Sequence, residues 1–261
     1  MADLIDVERI GRVAIVRFNR PETLNSMNRA MAVQYAATLR SLDADTSVGA
    51  IVVTGSGRGF CSGADVSLLG NGADGIWADI VPPREDLPGF VRTLSTPVVA
   101  AANGAVAGIG FAYLMATDIR FIAAEARIAT TFSRLGLVAE YGLSWLLPRL
   151  IGVGRTLDVL LTGRALTAAE AKELGLVEYV VPLESLLEAA IAYAEDLATN
   201  CSPTSLAVIK AQVYADLDRD AETALTDTLT RMDASFRLGD LDEALAARAE
   251  KRPPNFTPYS G

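Results

Sequence analysis

Asn103-Gly104-Ala105-Val106-Ala107-Gly108-Ile109-Gly110 sits between an apolar run, Pro97 to Ala102, and a helix-forming stretch, Phe111 to Ala116. Such a strand-turn-helix junction aims backbone amides outward at the start of the helix, where the partly positive end of the dipole favours negative charge on an oxygen. A pair of glycines used only for close helix packing is the alternative reading. The spacing is not GxGxxG and no Gly-Lys-Ser/Thr follows, so dinucleotide and nucleotide-phosphate loops fit poorly. A second junction of the same kind lies upstream, Gly55-Ser56-Gly57-Arg58-Gly59-Phe60-Cys61-Ser62-Gly63-Ala64-Asp65. Small residues there let a ligand approach the main chain, although composition alone is equally served by a flexible turn.

Working outward, Arg12 to Phe18 alternates as a half-buried strand does, and Ala50 to Thr54 and Ile119 to Ala123 are short apolar runs. Asn28 to Leu42 carries a broken helical face, and Asp65 to Leu69 reads as a short helix. This alternation predicts α/β architecture with mainly parallel connections. From Gly142 onward the chain reads as helices: 143–150, 155–161, 168–174, 183–199, 203–217, 221–238 and 241–251. Thr167 with Glu170 has the form of a capping box, and Pro182 and Pro203 stand where helices begin. The glycine- and proline-rich stretch from Leu69 to Pro88 reads as a mobile connection near a site.

The chain has no histidine, which removes Ser-His and Cys-His nucleophile pairs and the commonest transition-metal ligand. Its two cysteines, Cys61 and Cys201, are outside any CxxC spacing, so neither a zinc site nor a disulfide framework is expected. A net charge of -9, with the acids spread along the chain, argues against a nucleic-acid partner. No stretch reads as a signal peptide, and none approaches the ~20 apolar residues of a membrane span. The expected location is the cytoplasm, with no membrane partner.

Four segments together resemble the crotonase, or enoyl-CoA hydratase/isomerase, superfamily: Asn19-Arg20-Pro21-Glu22 with Leu24-Asn25, Phe60 to Asp65, Asn103 to Gly110 with Asp118, and Leu147 to Gly152. The tail Glu250 to Phe256 is similar too. The resemblance implies a spiral of repeated ββα units over residues 1–200 and a helical C-terminal trimerisation region over 201–261. It implies a homotrimer or a dimer of trimers. The amides of Ala64 and Ile109 would form the oxyanion hole for an acyl-CoA thioester. Asp65, Val66 and Ser67 would flank the CoA moiety, and Arg20 and Lys251 would be weaker candidates near its phosphates. No cofactor is implied, because coenzyme A is part of the substrate.

Departures from the hydratase pattern carry the rest. The two glutamates that such hydratases use to position water fall at Ala112 and Phe132, and neither residue moves a proton. One acid remains, Glu140, in a turn where the family's enoyl-CoA isomerases similarly place a lone carboxylate. Its plain alternative is a solvated acid or a cap of the next helix. With Glu140 as proton shuttle and Phe132 desolvating it, double-bond isomerisation is the expected activity; hydration and silent acyl-CoA binding are the alternatives. Tyr113, Tyr141 and Trp145 are candidate walls of the acyl pocket, and Asp118 is expected to tie loops together.

Overall fold

In the computed structural model, which describes residues 3–259, the uninterrupted apolar runs become central parallel strands, the setting in which both faces of a strand are covered. β1 (Ile5–Ile10) and β2 (Val13–Phe18) form an antiparallel hairpin, and β2 then pairs in parallel with β3 (Ala50–Gly55), Val13 opposite Ala50 and Phe18 opposite Gly55. Between them α1 (Arg29–Asp43) starts at Asn28, whose side chain accepts the Met31 amide at 2.9 Å. Its Met31, Tyr35, Leu39 and Leu42 are buried.

The chain then repeats one unit. β3 leads into β4 (Gly59–Cys61) and, further on, α2 (Gly72–Asp79); β5 (Val98–Ala102) leads into β6 (Ala105–Ala107) and α3 (Ile109–Met115); β7 (Ile119–Ala123) leads into β8 (Arg127–Ala129). In each unit the first strand joins one sheet and the second joins another. After β8 come α4 (Leu143–Ile151), α5 (Val153–Thr162), β9 (Ala165–Thr167), α6 (Ala168–Leu174) and β10 (Tyr179–Val181). The large sheet runs β1-β2-β3-β5-β7-β10 and the small one β4-β6-β8-β9, so the two climb side by side as the expected ββα spiral. Among the described residues only the β1-β2 and β8-β9 pairs are antiparallel.

The C-terminal third is helical: α7 (Leu183–Asn200), α8 (Pro203–Asp216), α9 (Ala221–Phe236) and α10 (Asp240–Glu250). The capping box at Thr167 and Glu170 forms as its spacing predicts. α8 is tied to the sheet at Asp118, whose carboxylate accepts the Val98 amide at 2.7 Å, the Tyr214 hydroxyl at 2.8 Å and the Lys210 ammonium at 2.7 Å. Asp118 thus joins separate parts of the chain, as expected, and Lys210 is almost wholly buried beside it. No helix among the described residues is long and apolar enough to cross a membrane.

Two local expectations are corrected. Asp65 to Leu69 is not a helix: the Ser67 amide and hydroxyl both donate to the Asp65 carboxylate, at 3.1 and 2.6 Å, and make a turn instead. The stretch from Leu69 to Pro88 is not bare connection, because it contains α2. Its glycines disfavour a helix, but Arg29 of α1 donates to the Trp77 and Val81 carbonyls at 3.1 and 2.7 Å and caps its end.

Candidate active site

The two glycine-rich turns meet back to back. A Cβ built on Gly63 would stand 3.1 Å from the Ala107 carbonyl oxygen and 3.8 Å from the Gly108 Cα, and Gly63 has φ +109, a conformation that other residues resist. Gly110 is packed tighter still, its missing Cβ only 2.2 Å from the Cys61 carbonyl oxygen. Two buried or half-buried amides clamp the first turn from behind. Asn25 donates to the Ser56 and Gly59 carbonyls at 2.9 and 2.7 Å, and Asn103 donates to the Gly55 and Gly57 carbonyls at 3.0 and 2.9 Å. Both residues lie in the motifs that carry the family resemblance; only the folded chain shows them closing on one loop.

Beside this contact two backbone donors are left without an acceptor among the described residues. The Met27 amide donates to the Gly63 carbonyl at 2.7 Å and the Asp65 amide to the Met27 carbonyl at 2.9 Å. Along an extended chain that pattern turns the amide of the intervening Ala64 to the opposite side. The Ile109 amide, first in α3, has no helical acceptor. Neither amide donates to another group among the described residues, and both residues line one cavity of about 420 Å³.

The walls of that cavity are almost wholly apolar. Ile76 and Trp77 of α2, with Ile80 just past its end, form one side, and Leu135, Leu137 and Val138 form another. Sequence reading missed the α2 side, although Ile76 and Ile80 at i and i+4 were the signal for it. Among the described residues Glu140 is the single carboxylate in the lining. Its side chain makes no hydrogen bond or ion pair among the described residues, and α4 begins on Gly142 without a side-chain cap, so the capping alternative does not hold. Burial raises its pKa above the ordinary glutamate value. Phe132, itself buried, lines the same cavity and contributes to the apolar surroundings. Tyr141 is also pushed up, by burial first and then by the charge of Glu140.

Thr131 and Tyr141 both sit at positive φ, +57 and +52. Each is non-glycine, each lines the cavity, and they adjoin Phe132 and Glu140 respectively. Such conformations cost about 1 kcal/mol or more apiece and persist only where the surrounding fold imposes them.

Of the candidate residues, Ala64, Ile109, Val66 and Glu140 are brought together in the cavity lining. Asp65 is not in it. Its carboxylate pairs with Arg20 at 2.8 Å and accepts from Ser67. Burial pushes its pKa up, but the hydrogen bonds from Ser67 and Arg20 outweigh that and hold it below the usual carboxylate range. Arg20 also donates to the Ser26 carbonyl at 2.7 Å, so it fastens the turn and does not project into the cavity. Lys251 lies exposed at the end of α10, away from the lining. Of the aromatic candidates, Tyr141 lines this cavity and Trp145 lines a smaller one next to it. Tyr113 is buried among Phe18 and Tyr35, with ring centres 5.9 and 5.6 Å away, and Trp145 packs against Arg92 and Arg149.

The sequence model of the enoyl-CoA hydratase/isomerase family matches residues 8–258. The chain is 36% identical over 264 residues to the probable enoyl-CoA hydratase EchA12 of Mycobacterium tuberculosis, covering 94% of this chain and 89% of that one. It is 34% identical over 255 residues to the 1,2-epoxyphenylacetyl-CoA isomerase of Escherichia coli, covering 94% and 95%. The crystal structure of an enoyl-CoA hydratase from Bacillus anthracis superposes with a TM-score of 0.90 at 31% identity, over 97% of this chain and 99% of that one. Likeness on this scale, running the length of both chains and through both glycine turns, makes the protein an acyl-CoA enzyme that belongs to the enoyl-CoA hydratase/isomerase family of the crotonase superfamily.

Proposed function

We propose that the protein is an enoyl-CoA double-bond isomerase in which Glu140 carries the proton and the Ala64 and Ile109 amides hold the thioester oxygen. The observation that carries this reading is the lone, desolvated carboxylate in an apolar cavity whose wall also holds two unpartnered amides. With the thioester carbonyl accepting from both amides, the Glu140 carboxylate removes a proton from the α-carbon of a 3-enoyl thioester. The electron pair moves onto the thioester oxygen and gives a dienolate. Two fixed donors stabilise that oxygen more than the ground-state carbonyl, and one such donor contributes about 3 kcal/mol. Glu140 then returns the proton to the γ-carbon, and the double bond moves into conjugation. A raised pKa suits both halves, since the group must accept and release the same proton. The apolar walls keep water from quenching the dienolate.

The CoA moiety then runs past Asp65, Val66 and Ser67, with Lys251 as the candidate for its phosphates, while Arg20 acts on the turn itself. Assembly as a homotrimer or a dimer of trimers is part of the proposal, in keeping with the exposed Leu225, Leu229, Phe236, Leu241 and Leu245 on α9 and α10. So are the division at residue 200 and a cytoplasmic location, the latter in keeping with two unpaired cysteines. Hydration is the second reading, favoured by relatives named as hydratases. Exchange in deuterated buffer decides between them. Deuterium entering the α- and γ-carbons of a 3-enoyl-CoA, lost in Glu140→Gln, supports isomerisation; an inert 3-enoyl-CoA with water added to crotonyl-CoA overturns it.

A further inference from the structure

Behind Tyr141 lies a smaller chamber of about 130 Å³, and Tyr141 lines both it and the main cavity. Helix α3 runs from one to the other. Ile109 lines the main cavity, and Ala112 and Ala116 line the chamber. These positions share one helical face and lie about 4.5 and 10.5 Å further along the axis at 1.5 Å per residue. The small side chain of Ala112 leaves space there that a glutamate would fill.

Arg92 forms part of the chamber's boundary. Its guanidinium lies 4.7 Å from the centre of the Trp145 ring and 6.0 Å from that of Tyr214, which fixes its position. Its one hydrogen bond is long, 3.4 Å from Nε to the Gly89 carbonyl, and no carboxylate pairs with it among the described residues. Arg149 lies over the same indole at 4.1 Å, so two cations share one ring. The acids nearby are engaged elsewhere: Asp118 by Lys210 and Tyr214, and Asp218 with Arg149 at 3.6 Å. A chamber that adjoins the apolar cavity at Tyr141 and holds a half-buried, unmatched guanidinium suits the end of a hydrocarbon chain that terminates in an anion, and the planar fork matches a carboxylate.

We propose that this chamber takes the distal end of the acyl chain, and that Arg92 selects acyl-CoA thioesters whose chain ends in a carboxylate. The inference rests on the placement of the thioester at Ala64 and Ile109. Octanoyl-CoA and suberyl-CoA, equal in chain length and differing in that terminal carboxylate, test it by calorimetry, and neither needs to react. Wild type is expected to bind suberyl-CoA about tenfold more tightly or better, the worth of one charged hydrogen-bonded pair. Arg92→Gln brings the ratio of the two affinities near one, and Arg92→Lys keeps part of it. Ala112→Leu, which fills the chamber from α3, abolishes the preference by an independent route. Equal binding by wild type, or a preference that survives Arg92→Gln, overturns the proposal. Free CoA weakened by Arg92→Gln as much as suberyl-CoA would put the guanidinium on the CoA phosphates and also overturn it. If both thioesters bind with the expected preference while deuterium exchange fails, the chamber stands and the isomerase reading falls.

Discussion

The floor of the cavity and its walls are built by opposite means. The floor is main chain: Gly63 and Gly110 press against backbone of the neighbouring turn, Asn25 and Asn103 hold the loop, and nothing there has room to change. The walls are side chains on short, irregular segments, and several are open to solvent even though they are apolar; Val66 is 78% exposed, Trp77 65% and Val138 76%. On the proposed function, grip on the thioester is therefore coupled to the stability of the whole spiral. Choice of acyl chain and of reaction rests on a few replaceable side chains.

The contrast is tested most severely at Gly110. In Gly110→Ala the new methyl would meet the Cys61 carbonyl, which is part of a strand and cannot rotate away, so a loss of about 3 kcal/mol or more is expected, read as a collapse in melting temperature together with activity. Glu140→Gln should split these two properties. Turnover falls by about 10²- to 10⁴-fold, the usual share of a positioned acid-base group, while the circular dichroism and melting curve stay those of a folded protein. A parallel fall in stability would tie the carboxylate to the fold and blur the distinction.

The pH dependence sharpens it further. Because burial raises the Glu140 pKa, kcat/KM should decline on the acid side from a midpoint above the ordinary glutamate value of about 4.3. For stability the direction is opposite. The folded protein keeps this proton to higher pH than the unfolded chain does, so the contribution is full below the ordinary value and is lost as pH rises through the folded one. Glu140→Gln should therefore melt slightly above wild type near pH 7, with the gap closing toward about pH 4. The smallest effect belongs to the wall. Trp77→Ser, at an exposed position, should change stability by only about 0.5 kcal/mol, while raising KM severalfold and leaving kcat nearly constant.

Legibility in the sequence follows the same line. The glycine turns, β2, β3, β5 and β7, and every helix from α4 onward could be read in advance, because continuous apolar runs, caps and prolines are local signals. The resemblance also pointed to Ala64 and Ile109, which the fold brings into one cavity lining; their role as donors belongs to the proposal. α2 was not legible, because its glycines disfavour a helix and part of what supports it, the capping by Arg29, comes from a residue distant in sequence. The same reason hid the role of Arg20. Its partner Asp65 lies 45 residues away, and a basic residue near a phosphate-bearing ligand looks no different in sequence from one that braces a turn. Trp145 lines the smaller chamber and not the main cavity, and its position four residues beyond Tyr141 does not say in advance which of the two it faces.

The junction at Asp118 bears on how the chain is made. Its partner Tyr214 lies 96 residues further on, and Lys210 precedes it on the same helix. As the polypeptide leaves the ribosome, the strands that form the spiral emerge well before either residue, and domains tend to organise from the N-terminal side. Until α8 arrives, the growing sheet carries a carboxylate satisfied by one main-chain donor alone. Docking of α8 thus completes the partners of a carboxylate that the strands carry from the start, and a chain truncated ahead of residue 210 would leave Asp118 to water and to the Val98 amide alone.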